Sequence, residues 1–322
     1  MSAKPELNRR LDDAASLRNA GRFDDAYDVL QSLALDPDAA LLGHTTSIAL
    51  PRRLHSAFLK LAKAQKDAIR RVGLQYHLVP PPDVLNKYAQ FTMAERVKMT
   101  EANRQPVPRK IHQIWIGSKP APAGTNAWRE HATVNDYAYQ LWTEENLQTL
   151  GLAQSPAYRS MLDKGDLPGA VDVARYSILK SYGGVYLDCD WYPVRNDISF
   201  HDLLPMNGLV TMAEDVPRNT GKGSLLLANS FIASPPGHPV FTRLSNALTE
   251  VIAELPKAPA WWSTGPLLFT LMCRGGSVTL ADADMVAGAL SQDIPLSQVT
   301  KWCEQTRLND SGLLLAWRSW ER

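Results

Sequence analysis

Residues 171–194, VDVARYSILKSYGGVYLDCDWYPV, place a helical pattern, a double glycine and a short apolar run directly one after another. The apolar spacing predicts a helix over residues 168–181, and Tyr182-Gly183-Gly184 predicts its end. The following VYLDCD predicts a buried strand that finishes in Asp188 and Asp190. A helix, a tight turn and a strand in succession constrain this part of the chain to a fold in which helices pack on a sheet.

The same alternation continues from residue 108 to the end of the sequence. Strand-like runs are RKIHQIWIG, AYQLWT, GLVTMAE and SLLLANSFIAS, and helix-like patterns are EENLQTL, HPVFTRLSNALTEVIAEL and GPLLFTLMCR. We therefore predict an α/β domain over residues 108–322. Ligands of such sheets bind beyond the carboxyl ends of the strands, where Asp188 and Asp190 are expected.

Residues 1–107 predict a helical accessory region. Its first part is compatible with a helical hairpin or with a single helical-repeat unit that binds a partner. Residues 52–74 predict a basic amphipathic helix, which is either a core-facing helix with a solvated basic side or a surface helix on an anionic membrane. Its expected apolar face holds Phe58, Leu61, Ala62, Ile69 and Val72. VPPPDV at 79–84 predicts a stop and a linker.

The composition excludes several classes of protein. Residues 1–110 carry 18 basic and 12 acidic side chains and the remainder 16 and 21, so neither part is basic enough to indicate nucleic acid. No apolar run reaches the ~18 residues of a membrane span, and the first residues lack the apolar core of a secretory signal. Cys189, Cys273 and Cys303 are too far apart for a zinc site or a disulfide framework. We expect a cytoplasmic protein, with a peripheral location at the inner membrane face or export as an effector left open.

Three Asp-x-Asp pairs occur, and only their context separates them. Asp36/Asp38 and Asp282/Asp284 lie in turn or capping contexts, whereas Asp188/Asp190 follows a strand. Asp172 and Arg175, three residues apart, share one face of the preceding helix. Because the Gly183-Gly184 turn brings the strand back beside that helix, the four charges are expected to converge on one crevice. Two acids on one strand face suit a divalent cation that neutralises a diphosphate, although an ordinary surface ion pair is the alternative for Asp172 and Arg175.

The ensemble resembles the DXD sugar-binding glycosyltransferases. This family includes yeast-type initiating mannosyltransferases, bacterial capsule and polysaccharide enzymes and, more remotely, the large clostridial glucosylating toxins. The central motif is Asp172-x-x-Arg175-Tyr176-x-x-Leu179 with Gly183-Gly184-Val185-Tyr186-Leu187-Asp188-x-Asp190. Further matching segments are PRKIHQIWIG at 108–117, YQLWT at 139–143, NSFIAS at 229–234 with His238-Pro239, STGP at 263–266 and AWRSW at 316–320.

The resemblance implies a GT-A-type, Rossmann-like fold, a nucleotide-sugar donor (UDP-sugar favoured), Mn²⁺ or Mg²⁺, and retention of the anomeric configuration. It implies catalytic roles for Asp172, Arg175, Asp188, Asp190 and Asn229, with Asp190 and Asp188 as the metal ligands. It implies donor binding by Trp115, Ile116, Tyr186, Thr264, Gly265, Ser319 and Trp320. The closing segment departs from the family, because Leu313, Leu314 and Leu315 stand where many members have a histidine.

Three functions follow as hypotheses. The first is a hexosyltransferase that acts on a polysaccharide or lipid-linked glycan, with the basic N-terminal helices as a peripheral membrane contact. The second is an effector-like glycosyltransferase that modifies a protein. The third is a non-catalytic, helical-repeat interaction protein with a vestigial sugar site, against which the intact Asp172, Arg175, Asp188 and Asp190 argue.

Overall fold

The computed structural model describes residues 3–78, 82–221, 223–309 and 312–319. Its contacts divide the chain into two compact units, Met1–Lys87 with Glu214–Leu226, and Tyr88–Ala213 with Leu227–Arg322. Among the described residues, no helix is both long and apolar enough to cross a membrane.

The first unit is helical, as predicted. Its helices are α1 Lys4–Asn19, α2 Phe23–Ala34, α3 Arg52–Ala64, α4 Ala68–His77 and α5 Pro82–Leu85. Leu7 and Leu11 of α1 pack with Leu30 and Leu33 of α2 and with Leu54 of α3 in one buried cluster. The first part is therefore a helical hairpin with a third helix against it. Part of the predicted linker at 79–84 lies outside the described residues.

The prediction of a single helix over residues 52–74 is wrong, because the helix is interrupted between α3 and α4. Lys66 has a positive φ of 57°, and the Asp67 side chain caps the new helix by accepting from the Arg70 N–H at 2.9 Å. The break changes the direction of the apolar stripe. Ile69 is 87% exposed and Val72 38% exposed, whereas Leu61 is buried in the core of the unit.

The second unit contains the strands and the remaining helices. The strands are β1 Lys110–Ile114, β2 Ala138–Trp142, β3 Gly184–Leu187, β4 Trp191–Pro193, β5 Val210–Ala213, β6 Leu227–Ser234, β7 Thr279–Leu280, β8 Val286–Leu290 and β9 Leu314–Trp317. The helices are α6 Met93–Ala102, α7 Ala123–Val134, α8 Glu144–Leu147, α9 Pro156–Asp163, α10 Leu167–Tyr182, α11 Phe200–Leu203, α12 Pro239–Glu254, α13 Ala260–Ser263, α14 Pro266–Cys273 and α15 Leu296–Arg307. Residues 88–107, with α6, belong to this unit.

The main sheet has the order β2-β1-β3-β6-β5-β7. β1 pairs in parallel with both β2 and β3, and β7 pairs in parallel with β5. β6 is antiparallel to its neighbours β3 and β5. The sheet is thus parallel apart from β6 among the described strands, and the predicted α/β fold class with a helical N-terminal region is confirmed.

A small second sheet, β4-β9-β8, was not predicted. Trp191 of β4 pairs with Ala316 of β9, so two segments 125 residues apart in the sequence lie side by side. The Trp317 N–H donates to the Asp190 carbonyl at 2.7 Å. This sheet therefore places the C-terminal strand directly beside the predicted metal ligand.

The helix–turn–strand unit that fixes the site is built as the sequence predicts. Asp166 caps α10 by accepting from the Gly169 N–H at 3.0 Å, and Pro168 lies in the first turn, where its missing N–H costs no helical hydrogen bond. Gly183 ends the helix with φ 60° and ψ −157°, a backbone conformation almost confined to glycine. Gly184 follows at φ 95° and begins β3. Two consecutive glycines thus let the chain reverse between α10 and β3.

Candidate active site

The two aspartates of the central pair leave the carboxyl end of β3 at the middle of the sheet. The Asp188 N–H donates to the Ser230 carbonyl at 2.8 Å and thereby extends the pairing with the segment of β6. The Trp191 N–H then donates to the Asp188 carbonyl at 3.2 Å, so the chain turns away immediately after the pair. Asp188 and Asp190 are 25% and 32% exposed at their side chains, which leaves both within reach of a ligand.

Arg175 of α10 connects the helix to this strand end. Its guanidinium contacts Asp172 Oδ1 at 3.0 Å and Asp188 Oδ1 at 3.1 Å, while its side chain is only 4% exposed. It also donates to the Asn229 carbonyl and lies 4.6 Å over the Tyr186 ring. A buried guanidinium shared by two carboxylates fixes their relative positions. The helix and strand charges thus meet as predicted, but Asp172 does not line the cavity, so three of the four charges face one crevice.

Asp172 lies behind Arg175 in a buried network of hydrogen bonds. Its Oδ1 accepts from Asn229 Nδ2 at 2.8 Å, and its Oδ2 accepts from Thr264 Oγ1 at 2.7 Å. Tyr176 joins the same network through its hydroxyl, which accepts from Asn229 Nδ2 at 3.2 Å and donates to the Thr264 carbonyl at 2.8 Å. This network holds α10, β6 and the segment before α14 together.

Gly265 supports this network by its lack of a side chain. A Cβ at this position would lie 3.1 Å from Asp172 Oδ2 and 3.2 Å from the Ala260 carbonyl oxygen. Glycine therefore lets the backbone approach the carboxylate closely.

Burial shifts the proton equilibria of the site. It raises the pKa of Asp172 to about 6 against the opposing effect of the Arg175 charge, so the carboxylate is ionised at neutral pH. Burial and the neighbouring Asp188 charge raise the pKa of Asp190. Burial also holds the pKa of Tyr186 far above its usual value, and its hydroxyl donates to Asp188 Oδ1 at 2.7 Å. A further positive charge beside Asp188 and Asp190 would therefore be favourable.

A cavity of about 440 Å³ opens in front of these groups, a size typical of ligand pockets. Of the residues predicted from the sequence, six line it: Trp115, Ile116, Arg175, Tyr186, Asp188 and Asp190. The Trp115 indole is held by a hydrogen bond from its Nε1 to the Lys119 carbonyl at 2.7 Å. An aromatic ring and two carboxylates therefore border the same space.

The other predicted residues lie elsewhere. Asp172, Asn229, Thr264 and Gly265 form the buried layer behind Arg175 and do not line the cavity. Ser319 is the last described residue, and the prediction for Trp320 lies outside the described residues.

Several residues at the site were missed. Lys119, Leu167, Pro168 and Val171 line the cavity. Arg318 lies in the AWRSW segment that the resemblance includes, but its contact with Asp190 Oδ2 through Nε at 3.3 Å was not predicted. A signal for Val171 was present in the sequence, because it lies four residues before Arg175 and thus on the same helix face. Nothing in the local sequence around Arg318 indicates its contact, which depends on the pairing of β4 with β9.

The side chains of the site could hold a hard divalent cation only if a bound ligand supplied further oxygen atoms. Among the described residues, no group of three or more His, Cys, Asp or Glu side chains could hold a metal ion. Asp188 and Asp190 offer two carboxylates, and oxygen ligands of this kind are those that Mg²⁺ and Mn²⁺ take in sites completed by substrate phosphates. The residues present therefore fit a cation bridged to a diphosphate.

The central motif of the candidate site lies within a segment of the chain that matches a known family. Residues 123–207 match the family model described as "Glycosyltransferase sugar-binding region containing DXD motif". The matched segment includes Asp172, Arg175, Asp188 and Asp190. The predicted resemblance to the DXD glycosyltransferases is thereby confirmed.

Curated relatives agree with the family model. The chain is 31% identical over 140 residues to "Uncharacterized glycosyltransferase L373" of Acanthamoeba polyphaga mimivirus, covering 42% of this chain and 53% of that protein. It is 26% identical over 170 residues to "Inositol phosphoceramide mannosyltransferase 3" of Schizosaccharomyces pombe, covering 52% and 44%. A shorter stretch of 65 residues is 40% identical to "Toxin A" of Clostridium novyi and covers 20% and 3%. The chain thus spans about half the length of the first two relatives.

The chain also resembles a solved structure. "PaToxG Glycosyltransferase" is similar with a TM-score of 0.43 and 19% identity, over 70% of this chain and 84% of that chain.

Proposed function

We propose that this chain is a metal-dependent, retaining glycosyltransferase that moves a hexosyl group from a nucleotide diphosphate sugar to a hydroxyl acceptor. The observation that carries the proposal is the shared cavity, because Asp188, Asp190 and Arg175 border the same space as Trp115. Two carboxylates and a guanidinium suit a cation-bound diphosphate, and an aromatic ring suits a nucleobase. The catalytic domain is proposed to comprise residues 108–322, with 1–107 as an accessory region for acceptor, membrane or partner.

The residues are assigned roles by their positions. Trp115 would stack on the base beside Ile116, Asp188 would contact ribose and sugar hydroxyls, and Asp190 would hold the cation directly. Arg175 supports Asp188 and supplies positive charge near the departing phosphate. Asp172, Asn229 and Thr264 position Arg175 through the buried network. When bound, the cation neutralises charge that builds on the diphosphate.

In the reaction, the bond from the anomeric carbon to the diphosphate oxygen breaks and a bond to the acceptor oxygen forms. The acceptor proton passes to the leaving phosphate on the same face of the sugar, which retains the anomeric configuration. Among the described residues that line the cavity, Asp188 and Asp190 are the carboxylates, and both are assigned to the cation and donor. No further carboxylate of the lining is left for a double displacement, which supports the same-face route.

For the acceptor, we propose a polysaccharide or a lipid-linked glycan, reached from the cytoplasmic face. The names of two relatives support a lipid acceptor, because inositol phosphoceramide mannosyltransferases 3 and 1 of Schizosaccharomyces pombe are named for a lipid and a mannosyl group. We favour a UDP-sugar as the donor, and these names make a mannosyl donor the first alternative. The basic side of α3 is proposed as a peripheral membrane contact.

The experiment is a panel of UDP- and GDP-sugars with Mn²⁺, scored for slow donor hydrolysis without acceptor. We expect hydrolysis of one donor to depend on the metal, and Asp190→Asn to lower it at least about 100-fold. Asp284→Asn is the matched control, because Asp284 belongs to another Asp-x-Asp pair of the same unit and is exposed. It should leave hydrolysis unchanged.

Other results would contradict the proposal in defined ways. Full activity of Asp190→Asn would refute the role of the aspartate pair, and no hydrolysis of any donor would favour the non-catalytic interaction protein. Incubating the active enzyme with labelled donor and native lysate then shows which class of molecule is the acceptor. Label in lipid or polysaccharide supports the main proposal, whereas label in protein supports the effector-like alternative.

A further inference from the structure

Arg318 lies in the closing AWRSW segment, outside the central motif and outside residues 123–207 that the family model matches. It follows β9 directly, and its Nε lies 3.3 Å from Asp190 Oδ2. The adjacent backbone is fixed independently of this side chain, because the Trp317 N–H donates to the Asp190 carbonyl at 2.7 Å. The C-terminal strand thus holds an arginine against the proposed metal ligand.

The two aspartates of the central pair contact different arginines. Asp188 contacts Arg175, and Asp190 contacts Arg318. The two pairs differ in exposure, since Arg175 is 4% exposed and Arg318 61% exposed at the side chain. Arg175 is fixed in place by its burial, whereas most of the Arg318 side chain is exposed to solvent.

We propose that Arg318 exchanges between two anionic partners, Asp190 when the site holds no cation and the diphosphate when cation and nucleotide are bound. The inference rests on the proposed function, because it requires a cation at Asp190 and a diphosphate beside it. A divalent cation and a guanidinium repel each other at one carboxylate, so binding of the cation displaces the arginine. The diphosphate then offers oxygens that accept from a guanidinium in the same charge-assisted way.

The consequence is a coupling between metal and nucleotide. Arg318 lowers the affinity of the empty site for a cation and raises the affinity of the loaded site for the diphosphate. The site therefore takes up cation and donor together, and a lone cation is disfavoured. A surface pair that merely stabilises β9 would affect neither affinity.

The test compares wild type with Arg318→Gln in two binding measurements. Mn²⁺ binding without nucleotide is followed by the paramagnetic resonance signal of the free ion. Binding of UDP and of GDP at saturating Mn²⁺ is followed by calorimetry. We expect Arg318→Gln to bind Mn²⁺ about three- to tenfold more tightly and the preferred nucleotide about three- to tenfold more weakly. Opposite signs in the two measurements are the signature of the exchange.

Two variants control the comparison. Arg318→Lys keeps the charge near Asp190 and should stay within about twofold of wild type for Mn²⁺. Arg307→Gln removes an exposed positive charge from the last turn of α15 and should change neither affinity.

The outcomes separate the two proposals. If wild type binds Mn²⁺ and a nucleotide but Arg318→Gln has wild-type Mn²⁺ affinity, the exchange is overturned while the proposed function stands. The exchange is also overturned if Mn²⁺ binds more tightly but nucleotide binding is unaffected. If the wild-type protein binds neither UDP nor GDP in the presence of Mn²⁺ and hydrolyses no donor, the proposed function fails. The exchange then fails with it.

Discussion

Arg175 connects the buried layer of the site to the cavity. Its charge is almost fully buried, and it is compensated by Asp172 and Asp188 and by hydrogen bonding to the Asn229 carbonyl. Its Nε has no hydrogen-bond partner among the described residues, and the guanidinium lies over the Tyr186 ring. Because Asp188 also lines the cavity, a change in the buried layer would alter the cavity wall through Arg175.

The first prediction concerns Asp172 at this scale. In Asp172→Ala, the Arg175 charge keeps only Asp188, and the Asn229 amide and Thr264 hydroxyl lose an acceptor. We expect a loss of about 3–5 kcal/mol in the free energy of unfolding, measured by denaturant titration. Asp190→Asn, at a partly exposed position, should stay within about 1 kcal/mol of wild type. Equal stabilities for the two variants would contradict the division into a buried layer and a ligand-facing layer.

At the scale of elements, the site depends on the reversal between α10 and β3. The sequence predicted both elements and the turn, because a glycine pair interrupts an otherwise continuous apolar pattern. The turn is tightly packed as well as conformationally unusual. A Cβ at Gly183 would lie 2.5 Å from the Pro236 nitrogen and 2.7 Å from the Ser234 carbonyl oxygen.

The second prediction follows from this packing. Gly183→Ala should lower the free energy of unfolding by about 3 kcal/mol or more, since backbone strain and a backbone clash act together. Gly237→Ala is the matched control, with φ 71° and open space around the added Cβ. It should cost only about 1 kcal/mol, the strain of a left-handed alanine. Denaturant unfolding of both variants gives the comparison, and similar losses would show that the clash is relieved at no cost.

The elements that were predicted share one property, which is a continuous local pattern. β1, β3 and β6 are buried runs, β2 alternates toward a buried Trp142, and α10, α12 and α14 have clear ends. The missed elements lack such a pattern. α7 has few apolar residues, and β4 and β8 pair with β9, so that their stability comes from partners far along the chain. The same reason explains why Asp188 and Asp190 were predicted at the site, whereas the Arg318 contact was not.

At the scale of the whole molecule, the division into units is not linear along the chain. Residues 214–226 belong to the unit of the N-terminal helices, where the Asn219 N–H donates to the Tyr76 carbonyl at 3.2 Å and Arg71 pairs with Asp215 at 2.7 Å. A sequence read from one end to the other gives no sign of this return, because its contacts join positions about 140 residues apart.

The third prediction concerns acid stability, because burial lowers the pKa of histidines in both units. His238 is the clearest case, with burial lowering its pKa to about 4. Its Nδ1 accepts from the Val240 N–H at 3.3 Å at the start of α12, so the native state needs the neutral ring. The unfolded chain binds a proton near pH 6.5 and the native state only near pH 4. Stability from this group is therefore complete above pH 6.5 and is lost as the pH falls toward 4, by about 2 kcal/mol at pH 5.

His238→Asn isolates this contribution, since asparagine can cap the helix and does not titrate. Carboxylates and the other histidines affect both proteins equally, so the difference between their unfolding free energies is the quantity to measure. We expect that difference to move by about 2 kcal/mol in favour of the variant between pH 7 and pH 5. His112, whose pKa burial also lowers to about 4, remains in both proteins and keeps the overall acid sensitivity. Parallel stability curves for the two proteins would mean that His238 is protonated equally in the native and unfolded states, which its burial and its hydrogen bond to Val240 oppose.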